Sequence, residues 1–164
     1  MMKKAWLILV ICIFLCGCAP AELETMNDTD AVGVMAEPVE MKISFPEDAT
    51  VLTMGNALSR YYFCKGYDVA VEITESGNLD ATLKTITGYG KEELDMVETK
   101  RNGVACYEAV WTTVGEAGDC VGRLLVLDDN NYHYCVSAFS SAQNVASHAD
   151  AWNNLFASVS LVEN

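Results

Sequence analysis

The sequence has few basic residues, and no long hydrophobic run follows Cys18. Two of its 10 lysines and arginines, Lys3 and Lys4, lie before Cys18, whereas all 23 acidic residues lie after it, so the chain beyond Cys18 has 8 basic residues and a net charge of −15. Such a surface repels nucleic-acid phosphates and anionic lipid head groups, which argues against nucleic-acid binding. A bilayer-spanning helix needs about 20 apolar residues, so none is predicted after Cys18.

The chain also lacks the common motifs of catalytic and metal sites. No serine stands in a G-x-S-x-G motif. The acidic run Asp128-Asp129-Asn130-Asn131 lacks the ligand spacing and the distal glutamate of an EF-hand loop. A polar hairpin turn explains that run. We therefore predict neither a metal ion nor a cofactor.

Four cysteines lie beyond the N-terminal region: Cys64, Cys106, Cys120 and Cys135. None of their spacings is C-x-x-C, which argues against a zinc ribbon or a thioredoxin-like redox site. An exported chain can form disulfides, whereas cysteine is also among the residues most often buried as a free thiol. We expect one disulfide, with four free thiols as the alternative.

His133 and His148 are the only histidines. Either could act as a base for a cysteine or serine, but no local nucleophile motif accompanies the cysteines. Because a catalytic triad is defined by geometry, an enzyme would need a thiol or hydroxyl beside one histidine in a pocket. We predict instead that both are core or surface residues and that the protein is not an enzyme.

Other chemistry-bearing groups have structural explanations. Glu108 and Arg123 are predicted to be diagonal neighbours on adjacent strands, forming a surface ion pair of little energetic weight. Five aromatic residues could form a patch for a partner: Tyr61, Tyr62, Phe63, Tyr132 and Tyr134. Core packing is the preferred interpretation, because aromatic side chains dominate protein cores.

The N-terminus has the layout of a secretory signal peptide. Lys3 and Lys4 precede an apolar run of 11 residues, from 5 to 15. The following residues, Leu15-Cys16-Gly17-Cys18, resemble the bacterial lipobox. That resemblance implies cleavage before Cys18 and a diacylglycerol on its thiol. Two or more acyl chains anchor a protein stably. The alternative is an ordinary signal peptide that contains cysteines.

Three segments are predicted along the chain. Residues 1–17 are the lipoprotein signal peptide, and residues 18–40 are the lipidated N-terminus followed by an acidic tether. The tether has no apolar period, so we expect it to be disordered. Residues 41–164 are predicted to form a single α+β domain, whose length is typical of one domain.

Alternating apolar residues predict the strands of this domain. A strand over 41–45 opens it, residues 51–54 are expected to pair with that strand, and residues 58–63 fit either a helix or a strand. The same alternation predicts strands at residues 67–74, 95–100, 104–113, 120–127 and 132–139. Asn102-Gly103 marks a tight hairpin turn.

Two helices are predicted. Asn78 can cap a helix over residues 79–87. The C-terminal helix is amphipathic over residues 145–159, because its apolar residues recur every three or four positions. Trp152 and Phe156 would anchor it in the core.

One predicted hairpin indicates how the sheet is covered. A turn at Asp129 and Asn130 places Leu124 opposite Cys135. One face then holds Leu124, Val126, Cys135 and Phe139, and the other holds Leu125, Leu127, Tyr132, Tyr134 and Val136. Neither face is cleanly polar, so both are expected to be covered. The fold class is therefore predicted to be α+β, an antiparallel sheet flanked by helices.

The order of these elements resembles the PsbP-like family of α/β/α sandwiches, which includes many bacterial lipoproteins. The resemblance covers residues 41–161 and rests on packing motifs: Lys42-Ile43-Ser44-Phe45-Pro46, the antiparallel strands, and the closing helix with Trp152, Leu155 and Phe156. It implies a mostly non-catalytic accessory or interaction module, and it offers no catalytic residues.

Together these patterns predict a bacterial lipoprotein held on the cell membrane through the Cys18 lipid and facing the extracytoplasmic side. Its domain would be a non-catalytic module that binds a protein or small ligand at the cell surface. One alternative is an envelope hydrolase or redox enzyme that uses a cysteine or serine with His133 or His148. Another is a purely structural envelope component. A concave or apolar exposed patch without convergent titratable groups would favour the binding module.

Overall fold

The computed structural model describes residues 37–53, 58–115 and 118–162. The strands of this part are β1 Met41–Lys42, β2 Thr50–Thr53, β3 Ser59–Cys64, β4 Tyr67–Glu75, β5 Met96–Arg101, β6 Val104–Gly115, β7 Gly118–Asp128, β8 Tyr132–Ser141 and β9 Ser160–Leu161. The helices are α1 Leu79–Thr87 and α2 Val145–Ser158, and a 3-10 turn, Lys91–Glu93, follows α1. The predicted signal peptide, the lipobox with Cys18 and nearly all of the tether lie outside the described residues.

Seven strands form one antiparallel sheet in the order β2-β3-β4-β8-β7-β6-β5. The predicted α+β class is therefore confirmed. The start of the domain differs from the expected pairing, because β1 pairs with β9, and β2 pairs with β3. A turn closed by the Ala49 N–H on the Pro46 carbonyl, at 3.1 Å, redirects the chain to the sheet edge. Residues 58–63, which fit either a helix or a strand, lie almost entirely in β3.

Helix α1 begins and ends where its capping residues predict. The side-chain oxygen of Asn78 accepts the backbone N–H groups of Asp80 and Ala81, at 3.0 and 3.4 Å. Gly88 ends the helix with a φ of +81°, a left-handed conformation that glycine adopts without steric cost. Leu83 of this helix is fully buried and packs against the sheet.

The β5–β6 hairpin has the predicted turn, with positive φ at both Asn102 and Gly103. The β7–β8 hairpin has a different register from the one expected. Leu124 lies opposite Ser137, and Cys135 lies opposite Val126. The turn is longer than two residues, since Asp128 pairs with His133 across the loop. The shift is two residues, and it leaves every side chain on its predicted face because strand side chains alternate with period two.

Each face of the sheet is covered by one helix. The largest fully buried side chains of the cluster on the α2 side are Tyr134, Phe156, Leu125, Leu127 and Leu155. The α1 side buries a smaller cluster made by Leu83, Trp111, Leu124, Val126 and Cys135. The two predicted strand faces therefore belong to two separate apolar layers, as expected for an α/β/α arrangement.

Helix α2 is joined to strands β5, β6 and β7 by a network of charged side chains. Glu108 contacts Arg123 at 2.9 Å and Arg101 at 3.3 Å, and all three side chains are about one-quarter exposed. Arg101 also donates to the carbonyl oxygens of Phe156 and Val159, at 2.5 and 3.1 Å. The predicted Glu108–Arg123 contact is present. Arg101, the second arginine that contacts Glu108, also holds the C-terminal end of α2.

The expected disulfide is not formed, because the four described cysteines are free thiols. Cys106 faces α2 whereas Cys135 faces α1, so the sheet separates these two residues. Cys64 on β3 and Cys120 on β7 are kept apart by β4 and β8. Burial raises the pKa of the Cys64, Cys106 and Cys135 thiols, which disfavours the reactive thiolate form.

Candidate functional site

His133 lies at the start of β8 with its side chain towards α1, and it is 1% exposed. Its Nδ1 atom is 2.8 Å from the Thr82 hydroxyl on α1. Its Nε2 atom is 3.4 Å from the Ser76 hydroxyl and 3.7 Å from a carboxylate oxygen of Asp128. The structure thus brings a hydroxyl to each ring nitrogen of one of the two histidines singled out in the sequence.

This cluster does not have the geometry of a Ser-His-Asp triad. In a triad the serine contacts Nε2 and the carboxylate holds the Nδ1 proton. Here Nδ1 contacts Thr82, and Asp128 lies on the same side of the ring as Ser76. The Ser76 hydroxyl donates a hydrogen bond to Asp128 at 3.1 Å, so its hydrogen points away from the His133 ring.

The sequence contains no local signal for this cluster. Ser76 and Thr82 are 57 and 51 residues away from His133 along the chain. They meet because the loop after β4 lies beside the β7–β8 turn, where the Ser76 N–H donates to the Asn131 carbonyl at 2.7 Å. Only the pairing of β4 with β8 makes the three side chains neighbours.

His148 lies near the start of α2 and is half-buried. Its ring is tilted against Tyr67, with centroids 5.2 Å apart. It also covers Gly66, where an added Cβ would be 2.7 Å from its Nε2 atom. His148 therefore packs against the β3–β4 turn, and no thiol or hydroxyl contact is seen for it within the described residues.

The acidic run at the β7–β8 turn uses its oxygens internally, in agreement with the predicted polar turn. Asp128 accepts the Asn130 N–H at 2.8 Å, and one oxygen of Asp129 accepts two further backbone N–H groups. The other oxygen of Asp129 accepts the Tyr134 hydroxyl at 2.9 Å. Within residues 37–53, 58–115 and 118–162, no group of three or more His, Cys, Asp or Glu side chains could hold a metal ion.

The N-terminal segment of residues 38–45, which we term the strap, crosses the α2 side of the sheet. The Val39 N–H donates to the Tyr134 hydroxyl at 2.9 Å, so the chain packs on the domain two residues before the predicted start. Burial and the hydrogen bond to Asp129 raise the pKa of Tyr134 to about 12, which keeps its hydroxyl protonated and able to donate. Phe45 stacks on Tyr62 with ring centroids 3.8 Å apart.

A cavity of about 520 Å³ lies between the strap and strands β3 and β4. Most of the residues that line it have apolar or aromatic side chains, among them Met41, Ile43, Phe45, Tyr62, Val71 and Ile73. The charged residues of the lining are Glu40 and Arg60. Sequence reasoning missed this site, because the strap looked like a short edge strand and not like the wall of a cavity.

The aromatic residues divide between core and surface. Tyr132 and Tyr134 are buried, in agreement with the preferred core interpretation. Tyr61 and Tyr62 are half-buried. Phe63 is 49% exposed beside the exposed Leu52 on the edge strand, so part of the predicted set does reach the surface.

No helix among the described residues is long and apolar enough to cross a membrane. No family model matches the sequence, and no curated protein matches it significantly.

The fold is similar to several solved structures. The PsbP protein CyanoP from Synechocystis has a TM-score of 0.56 at 10% identity, covering 79% of this chain and 96% of that one. LpqN from Mycobacterium tuberculosis, described as involved in cell envelope biogenesis, has a TM-score of 0.53 at 8% identity, with coverages of 77% and 87%. A protein from Bacteroides thetaiotaomicron has a TM-score of 0.51 at 10% identity. The similarity covers 76% of this chain, but this chain spans only 46% of the length of that protein.

At identities of 8 to 10% the likeness concerns the fold alone. The seven-stranded antiparallel sheet with a helix on each face matches the arrangement that the sequence predicted. The described part of this chain has a PsbP-like fold.

Proposed function

We propose that this protein is a lipid-anchored, non-catalytic binding module on the extracytoplasmic side of a bacterial cell membrane. The cavity under the strap carries the proposal, because it is open and most of the residues that line it are apolar, with Glu40 and Arg60 as its charged residues. The lipobox at Cys18 supports the location. The fold likeness to LpqN, a protein described as involved in cell envelope biogenesis, is compatible with such a role.

The anchor is tested by metabolic labelling of the producing bacterium with radioactive palmitate. We expect the wild-type chain to incorporate label and to lose its first 17 residues. Cys18→Ala should remain unlabelled and unprocessed, because the thiol is the nucleophile that accepts the diacylglycerol.

Cys16→Ala is the matched control, since it removes a thiol two positions earlier that would leave with the signal peptide. It should be labelled and processed as the wild type is. Normal labelling of Cys18→Ala, or loss of label in Cys16→Ala alone, would contradict the proposed anchor.

The second candidate is an envelope hydrolase, favoured by the contact between Ser76 and His133. We expect a fluorophosphonate probe, which labels activated serines, to leave Ser76 unmodified. The reason is that Ser76 donates to Asp128 and that the carboxylate does not orient Nδ1. The measurement is mass spectrometry of the probe-treated full chain.

Ser76→Ala and Ser44→Ala are the matched variants in that experiment, because Ser44 lies on the α2 side of the sheet, where its N–H donates to the Ser158 hydroxyl at 2.9 Å, whereas His133 faces α1. Labelling that disappears only in Ser76→Ala would establish a catalytic serine and refute the non-catalytic proposal. The third hypothesis is a purely structural envelope component, for which the cavity would bind no ligand.

A further inference from the structure

The floor of the cavity under the strap is formed by side chains of β3 and β4 on one face of the sheet, with Arg60 among apolar residues. Arg60 pairs with Val71 across β3 and β4, and Tyr62 pairs with Val69 two positions along, on the same face. The Ile73 N–H donates to the Leu58 carbonyl at 2.9 Å, which extends the floor beyond Arg60. Opposite this floor, Met41, Ile43 and Phe45 of the strap supply apolar groups to the same cavity. A ligand with an apolar body would thus be enclosed from two sides.

Arg60, the arginine that lines the cavity, differs from the other two arginines of the chain in its ion pairing. Arg101 and Arg123 share the carboxylate of Glu108. Arg60 is exposed and makes no ion pair among the described residues. A guanidinium without a carboxylate partner beside this cavity is well placed to bind an external anion, since its planar N–H groups match carboxylate and phosphate oxygens.

From these two observations we infer that the cavity binds a single-chain amphiphile with an anionic head group, whose carboxylate or phosphate contacts Arg60 and whose alkyl chain lies between strap and floor. The inference rests on the proposed binding function and names its ligand class. The cavity volume of about 520 Å³ is within the range of small-ligand sites. Glu40 lines the same cavity and opposes an anion, so its removal should strengthen binding.

The probe is a dodecanoate that carries a diazirine on its alkyl chain, added to the full-length protein in bacterial membrane vesicles. After illumination, modified peptides are quantified by mass spectrometry. We expect modification of the peptides that contain residues 38–45 and 58–73. A dodecanol with the same diazirine provides a neutral head group with the same alkyl chain.

Arg60→Gln should lower cavity modification by the dodecanoate probe about tenfold, the effect of one charge-assisted hydrogen bond. Arg60→Lys should retain part of it, because the positive charge remains. Glu40→Gln should raise cavity modification by the dodecanoate probe about twofold, because the repulsion between two exposed charges is weak. Lys100→Gln, which removes an exposed cation on the distant strand β5, should leave it unchanged. The melting curve of each variant shows whether the fold is kept.

Val71→Phe fills the floor without changing any charge, and it should abolish cavity modification by both probes. Equal modification by the two probes, with no dependence on Arg60, would overturn the anionic ligand while leaving an apolar binding module in place. Absence of cavity modification in the full chain would overturn the inference as well. If deletion of residues 19–36 then restored it, the occupant would be the chain's own segment. Ser76-dependent labelling in the fluorophosphonate experiment would refute the proposed function separately.

Discussion

Trp152→Ala should lower the free energy of unfolding by about 3–5 kcal/mol, the range for truncating a large core aromatic residue. The indole is 4% exposed and packs edge-on against Tyr67, with ring centroids 6.3 Å apart. Its Nε1 atom is buried with no hydrogen-bond partner among the described residues. The loss would therefore come from packing and not from a broken hydrogen bond. The measurement is urea denaturation of the full chain, followed by circular dichroism.

Asn154→Ala is the matched control, because Asn154 is exposed on the same helix two positions later. Its free energy of unfolding should stay within about 0.5 kcal/mol of the wild type. If Trp152→Ala and Asn154→Ala unfolded at the same urea concentration, α2 would not be the core element that the structure shows.

The second large effect is expected at Gly122, where β7 passes directly under the Trp111 side chain. A Cβ added at Gly122 would be 2.6 Å from the Cε2 atom of Trp111. The Trp111 ring cannot easily move, because the residue is 5% exposed and packs edge-on against Phe139, with ring centroids 5.5 Å apart. Gly122→Ala should therefore cost about 1–3 kcal/mol through overpacking, measured by the same denaturation experiment.

A double-mutant cycle separates this clash from a general effect of replacing glycine in a strand. Trp111→Leu removes the ring, so Gly122→Ala introduced into that background should cost much less than in the wild type. We expect an interaction free energy of at least about 0.5 kcal/mol between the two positions. Simple additivity of the two changes would mean that the ring is not what limits the space at Gly122.

The histidine cluster shows where sequence reasoning stops. His133, interpreted from the sequence as a core or surface residue, is buried, and the two hydroxyls that contact it were not predicted. Ser76 and Thr82 stand in no motif, because hydrogen bonding to a buried histidine needs only a donor or acceptor at the right point in space. The β4–β8 pairing supplies that point, and strand order in a sheet does not follow from local periodicity.

The strap cavity was missed for a related reason. The alternation at residues 41–45 predicted a strand, of which the structure forms only Met41–Lys42, and it did not indicate what the segment would cross. Arg60 lies in residues 58–63, which fit either a helix or a strand, and no role was predicted for it. Its lack of a carboxylate partner has meaning only beside Arg101 and Arg123, whose shared Glu108 depends on the β5–β6–β7 register.

The sequence by itself determined the α+β class, the limits of α1, the Asn102-Gly103 turn and the two faces of the β7–β8 hairpin. These features depend on residues that are near one another in the chain: a capping asparagine, glycine at positive φ, and side chains that alternate with period two. The tertiary structure alone decided the β1–β9 pairing, the separation of the four thiols, the surroundings of His133 and the cavity beside Arg60. Each of these depends on contacts between distant segments, which are set by the total packing of the chain and not by any local pattern.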